Sequence, residues 1–282
     1  MKMDNYNLMK DKRIQVLAVT GGKGGVGKTN IAVNIGASLA SMGKKTYLLD
    51  ADFGLSNVDV ILGLSPQLTL IDVIENRCQL EEIILKGPCG LQIIPGASGV
   101  QKLVQMQARD YAGMIHSFSR LMPQLDTFII DTAPGIHSSV AQLAAASQEI
   151  LVVVCDEPAS IADAYAFIKL LHQQHGIERF RIIANMTSGL FEARQLFAKL
   201  TNVTDKYLSV VLHFLGWIPE DELIRKAIKR QSAVVEAYPS SAASQHFKEL
   251  AKNILKLPPP VLNTGSGQFF MEQFFSSASA LQ

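Results

Sequence analysis

The sequence is poor in cysteine, in net charge and in long apolar runs, and each shortage removes a class of protein. Three cysteines among 282 residues, Cys78, Cys89 and Cys155, are too few and too far apart for a disulfide framework, and none stands in a Cys-x-x-Cys pair. The expectation is a reduced, cytoplasmic setting. A formal net charge of +1 supplies no global basic field for nucleic acid, so any such contact would need a local patch. No stretch approaches the roughly 18 to 20 apolar residues of a membrane-spanning helix, and the first residues lack the apolar core of a signal peptide. The six histidines and three cysteines show no metal-ligand spacing.

Apolar residues, by contrast, are plentiful. With 48% hydrophobic and 18% charged residues the chain can bury a sizeable core as one large domain. Short β-branched runs at Ile14–Val19, Thr46–Leu49, Leu91–Ile94, Thr127–Ile130, Ile150–Val154, Arg181–Ala184 and Val210–Leu215 read as buried strands, and helix-length segments separate them. That alternation predicts an α/β fold, a mostly parallel sheet covered by helices on both faces. Ligands in such sheets sit beyond the carboxyl ends of the strands, where the chemistry-bearing motifs should converge.

The most informative stretch is Gly22-Lys23-Gly24-Gly25-Val26-Gly27-Lys28-Thr29, set between the first strand and a predicted helix over Asn30–Met42. Strand, glycine-rich loop and helix make a phosphate-binding loop: backbone N–H groups and the helix N-terminus face the anion, Lys28 reaches the β- and γ-phosphates, and Thr29 can ligate Mg²⁺. The strand ending Thr127-Phe128-Ile129-Ile130-Asp131 has the Walker B arrangement, with Asp131 placed to hold Mg²⁺ and Gly135 in the following Thr132-Ala133-Pro134-Gly135 placed as a γ-phosphate switch. The strand at Thr46–Leu49 delivers Asp50-Ala51-Asp52, two carboxylates that face one way if the backbone is extended.

With its second lysine, the Lys23-to-Thr29 run resembles the deviant Walker A loop of the MinD/ParA superfamily. The resemblance implies a P-loop ATPase that dimerises on ATP, with Lys23 reaching the phosphates of the partner's nucleotide. It further implies that Asp52 orients the attacking water and that Asp50 lies near the Mg²⁺ shell. Later segments resemble one branch, the flagellar-number ATPases of the FlhG type, also called FleN or YlxH: Asp156 to Tyr165, Ala184-Asn185-Met186, Gly216-Trp217-Ile218-Pro219-Glu220-Asp221, and Val234 to Pro239. The adenine site is implied at Asn185 and around Pro219, Glu220 and Asp221, with Asn30 beside the phosphates. The implied partners are an FlhF-type GTPase, a flagellar C-ring component and a flagellar transcription regulator. Two departures stand out: Pro134 falls one position later than in the MinD-type Asp-x-Pro-x-Gly, and the first residues lack the Asp-Gln-Ala segment common in FlhG proteins.

The expected organisation is a lead-in over 1–12, an ATPase domain over 13–257 closed by a helix at Ser240–Lys256 with Phe247, Leu250, Ala251, Ile254 and Leu255 on one apolar stripe, a linker over 258–267 and an amphipathic helix over 268–282. Phe270, Met271, Phe274 and Phe275 share one arc of that last helix, which resembles a membrane-targeting tail although it has no Lys or Arg. The protein is thus expected to be cytoplasmic and reversibly membrane-associated. Arg225, Lys226, Lys229 and Arg230 form a basic helix face, for which solvent exposure is the simpler reading and DNA contact the alternative. A division-site MinD and a ParA-type partition ATPase therefore stand beside the flagellar reading.

Overall fold

The computed structural model describes residues 14–52, 57–96, 116–118, 120–121 and 124–258. The lead-in, most of the linker and the tail with Phe270, Met271, Phe274 and Phe275 lie outside the described residues.

Eight strands form one sheet in the order β3-β4-β2-β5-β1-β6-β7-β8. They are β1 (Gln15–Thr20), β2 (Thr46–Ala51), β3 (Leu85–Lys86), β4 (Gln92–Ile94), β5 (Thr127–Thr132), β6 (Glu149–Val154), β7 (Arg179–Thr187) and β8 (Val211–Pro219). All neighbours pair parallel except β3 with β4. The seven strands expected from the β-branched runs are all present. The two-residue β3 carries too little sequence to be read in advance. β7 and β8 run further than their apolar cores suggested, because pairing resumes beyond irregularities at Ile182/Ile183 and Ala184/Thr187 and carries the ladder to Thr187 and Pro219.

Successive residues of a strand face opposite sides, so the sheet has two cores. Leu17 and Val19 of β1 point to the side covered by α1 (Lys28–Ser41) and α9 (Ala242–Leu255), where Ile31, Ile35, Leu39, Phe247 and Ile254 are buried. Ala18 points to the other side, against α4 (Ser138–Ala146), α5 (Pro158–His175) and α6 (Leu190–Tyr207). Helix α9 starts at an N-cap, Ser241, whose side chain accepts from Ser244 N, and it closes the domain as its apolar stripe predicts. Leu255, the last residue of the helix, is the exception within that stripe and is 40% exposed.

Short elements frame the strand ends. α2 (Val58–Leu62) and α3 (Leu70–Ile74) follow β2, and α7 (Glu222–Lys229) and α8 (Val234–Ala237) follow β8. Because β1, β2, β5, β6, β7 and β8 all run parallel, their carboxyl ends lie along one edge of the sheet, and the loops that carry the predicted motifs meet there.

Candidate nucleotide site

At that edge lies a cavity of about 500 Å³. Its walls come from the phosphate loop and first turn of α1, from Asp52 after β2, from Thr132 and Pro134 after β5, from Asn185 and Met186 on β7, and from the segment after β8. Gly24, Gly25, Gly27, Lys28, Thr29, Asn30, Asp52, Asn185, Pro219, Glu220 and Asp221, drawn from four separate motifs, therefore share one space.

The loop geometry demands its glycines. Gly27 has φ 90° and is the N-cap of α1, and a Cβ there would stand 2.5 Å from Asn185 Nδ2. At Gly22 a Cβ would stand 2.3 Å from the Asp163 carbonyl oxygen. Side chains at either place would push the loop off β7 or α5. Val26 contributes its backbone rather than its side chain: it is 4% exposed and packs in the core, while its carbonyl accepts from Asn185 Nδ2 at 2.8 Å and from Cys155 Sγ at 3.7 Å. Asn185 thus braces the loop with one N–H.

The two lysines differ. Lys28 is 7% exposed, and its Nζ donates to the Lys23 carbonyl at 3.1 Å. Burial lowers its pKa, and the charges of Asp131 and Asp52 push it back up. Lys23 is exposed and pairs with Glu157 at 2.8 Å; that hydrogen bond and the Glu157 charge raise its pKa. Within one subunit, then, Lys28 is aimed at the cavity and Lys23 lies outside its lining, on the side toward α5.

Asp131 is the last residue but one of β5 and is 1% exposed, and among the described residues its Oδ1 has no hydrogen-bond partner. Burial and, after it, the Asp50 charge raise its pKa to about 8, against the opposing pull of Thr29 and Lys28. Asp50 is paired in register with Asp131 across β2 and β5. Its Oδ1 accepts from Asp52 N at 3.1 Å and its Oδ2 from Asn57 N and Val58 N at 3.1 Å, so it fastens the turn after β2 and the start of α2. A buried carboxylate with an orphaned oxygen beside a threonine hydroxyl and a lysine fits a hard divalent cation such as Mg²⁺, which takes oxygen ligands. Gly135, with φ 100°, follows Pro134 just beyond the lining residues.

On the opposite wall, Asp221 caps α7 by accepting from Leu223 N at 2.8 Å and reaches Ala243 N at 3.2 Å, joining the first turns of α7 and α9. Glu220 N donates to the Thr187 carbonyl at 3.0 Å, which ties the loop to β7, and its carboxylate pairs with Arg225 at 3.1 Å. Met186 and Arg225 also line the cavity, as do Asn57, Ile61, Ile224 and Ile228, which carried no motif. Arg225 belongs to the basic helix face expected to meet solvent. Its side chain is 74% exposed at the cavity rim, Lys226 pairs with Glu222 one turn back, and Arg230 lies over the Tyr238 ring, so the basic face is solvent-exposed as expected and largely matched by its own neighbours. Met186 has φ 57°, a left-handed backbone unusual for a side chain of its size, which turns it outward at the cavity rim; its place in the Asn185 segment does not announce that conformation.

A parallel sheet whose first loop wraps an anion site, with a lysine and a threonine at the helix start and an acid ending a neighbouring strand, defines a P-loop nucleoside triphosphatase. The profile of the ParA family, described as NUBPL iron-transfer P-loop NTPase, matches residues 12–255. The chain is 53% identical over 260 residues to the antiactivator FleN of Pseudomonas aeruginosa, covering 92% of this chain and 93% of that protein. It is 32% identical to the flagellum site-determining protein YlxH of Helicobacter pylori, covering 83% and 80% of the two chains. The MinD cell division protein of Aquifex aeolicus superposes with a TM-score of 0.68 at 26% identity, covering 88% and 99%. The chain belongs to the MinD/ParA family of P-loop NTPases, and within it to the FlhG group that includes FleN and YlxH.

Proposed function

We propose that this protein is an ATP-hydrolysing switch that controls flagellar number or placement, dimerising on ATP and binding the membrane as a dimer. The observation that carries the reading is the convergence of the phosphate loop, Asp52 and the Asn185 and Pro219 segments on one cavity, in a chain 53% identical to a flagellar antiactivator along nearly its whole length. Lys28 and the loop N–H groups hold the β- and γ-phosphates and oppose the charge that builds there. Asp52, on the facing wall, orients a water toward the γ-phosphorus. Positioning suffices, because phosphoryl transfer has a loose transition state that asks little of a base. Bound Mg²⁺, held by Thr29 and Asp131 with Asp50 behind them, supplies charge neutralisation on the phosphate oxygens. Asn185 keeps its amide oxygen for the adenine edge, while Pro219 and Glu220 close the base side. Hydrolysis is slow and partner-stimulated in this reading.

Lys23 is the residue that makes a dimer part of the mechanism. Exposed and outside the cavity of its own subunit, it is available to a nucleotide held by a second copy once it leaves Glu157. Phe270, Met271, Phe274 and Phe275 would bury apolar surface on entering a bilayer, and ordering the segment that carries them offsets much of that gain. One tail binds weakly in this reading; two tails joined by dimerisation bind through effective concentration. An FlhF-type GTPase, a C-ring component and a flagellar transcription regulator are the proposed partners.

The test is co-sedimentation of the Asp52→Ala protein with liposomes under ATP and under ADP, with and without residues 268–282, and light scattering on the same samples. ATP-dependent dimers that pellet only with the tail present support the switch. Dimers that ignore lipid and bind DNA with a steep salt dependence favour a partition ATPase. Monomers under both nucleotides remove the role of Lys23.

A further inference from the structure

Asn34 lies one turn beyond Asn30 on α1 and is wholly buried, an uncommon place for a carboxamide. Its hydrogen bonds fix which way two amides face. The Val235 backbone N–H can only donate, and it meets Asn34 Oδ1 at 3.2 Å. The other end of the Asn34 amide is therefore the nitrogen, and it donates to the Asn30 carbonyl at 2.9 Å and to Asn30 Oδ1 at 3.1 Å. Asn30 consequently turns its oxygen to Asn34 and its NH₂ the other way. Among the described residues no acceptor takes a hydrogen bond from that nitrogen. Asn30 lines the cavity directly after Lys28 and Thr29, at the helix end that receives anions.

We infer that Asn34 is a positioning residue for nucleotide binding: anchored by the Val235 backbone, it holds Asn30 with the NH₂ as a donor to an oxygen of the phosphate chain. The inference rests on the nucleotide reading of the cavity. An unanchored Asn30 can rotate its amide and present its carbonyl oxygen to a phosphate, which repels instead of binding. The same relay connects α8 to the phosphate site, since a shift of Val235 releases Asn34 and with it Asn30.

A double-mutant cycle tests this. ATP binding with Mg²⁺ is measured by calorimetry for the unmodified protein, Asn34→Leu, Asn30→Ala and the double variant, alongside the melting temperature of each without nucleotide. Asn34→Leu keeps the side-chain shape and should weaken ATP binding roughly five-fold, but less than about two-fold when Asn30 is already alanine. Melting temperature should fall similarly in both backgrounds, because Val235 N–H loses its acceptor either way. Equal loss of affinity in the two backgrounds would overturn the inference and leave Asn34 a packing residue. Failure of the unmodified protein to bind ATP would instead overturn the nucleotide reading itself. If Asn34→Leu does not fold, Asn34→Ala is carried through the same cycle.

Discussion

Asp131 shows how one buried charge couples stability to ligand. Its folded pKa, about 8, lies above the ordinary carboxylate value of 3.8, with burial as the main cause and Asp50 as the next. The native, ligand-free protein therefore holds a proton that the unfolded chain gives up near pH 4. By linkage, stability falls as pH rises between those two values. Asp131→Asn should raise the melting temperature of the nucleotide-free protein at pH 7 to 8 and flatten its pH dependence, while weakening Mg²⁺-dependent ATP binding; scanning calorimetry from pH 5 to 8 with and without MgATP checks both. A melting temperature that falls on substitution would show that the carboxylate is matched in a way its orphaned oxygen does not suggest. At this scale the sequence was most legible where chemistry is local: Lys28, Thr29 and Asp131 are placed by a strand, a loop and a helix start. It was least legible at Ile61 and Ile228, ordinary apolar residues whose place at the cavity comes from distant chain segments.

Among the elements, the segment after β8 carries two tasks at once. Asp221 caps α7 and reaches the first turn of α9, and it also lines the cavity beside Pro219 and Glu220. Asp221→Ala should lower stability by about 1–3 kcal/mol through the two lost backbone partners and weaken ATP binding as the loop loosens. Urea unfolding and ATP titration read the two effects separately. Lost binding with unchanged stability would mean that Asp221 touches the base instead of steadying the loop. α9 itself closes one face of the sheet, and its fully buried Phe247 sits against α1. Phe247→Ala should cost about 3–5 kcal/mol, measured as a shift of the urea midpoint, since the cavity left behind cannot collapse against strand backbones. The apolar stripe announced this helix. The register of β7 and β8, by contrast, depends on irregular pairing that no periodicity encodes, which is why their ends ran past the expected strands.

For the whole molecule, the proposed dimer rests on Lys23. Lys23 and Glu157 form an exposed pair, and exposed pairs add little to stability. Lys23→Ala should therefore leave the melting temperature of the ligand-free protein unchanged while abolishing ATP-dependent dimerisation, seen by light scattering of the Asp52→Ala background with ATP. A monomer that still forms no dimer with Lys23 intact, or a dimer that forms without it, would remove the lysine from the interface.

Local chemistry along the chain was enough to specify the α/β class, the phosphate loop, the strand-end acid Asp131 and the closing helix, because each depends on neighbours within one turn or one strand. Folding decided the rest. It brought Asn185, 159 positions beyond Val26, onto the loop carbonyl; it set the exposed Arg225 at the cavity rim beside Glu220; and it buried Asn34 between the phosphate helix and Val235. Those roles arise from contacts between segments that only the sheet order and the packing of α7, α8 and α9 bring within hydrogen-bonding distance.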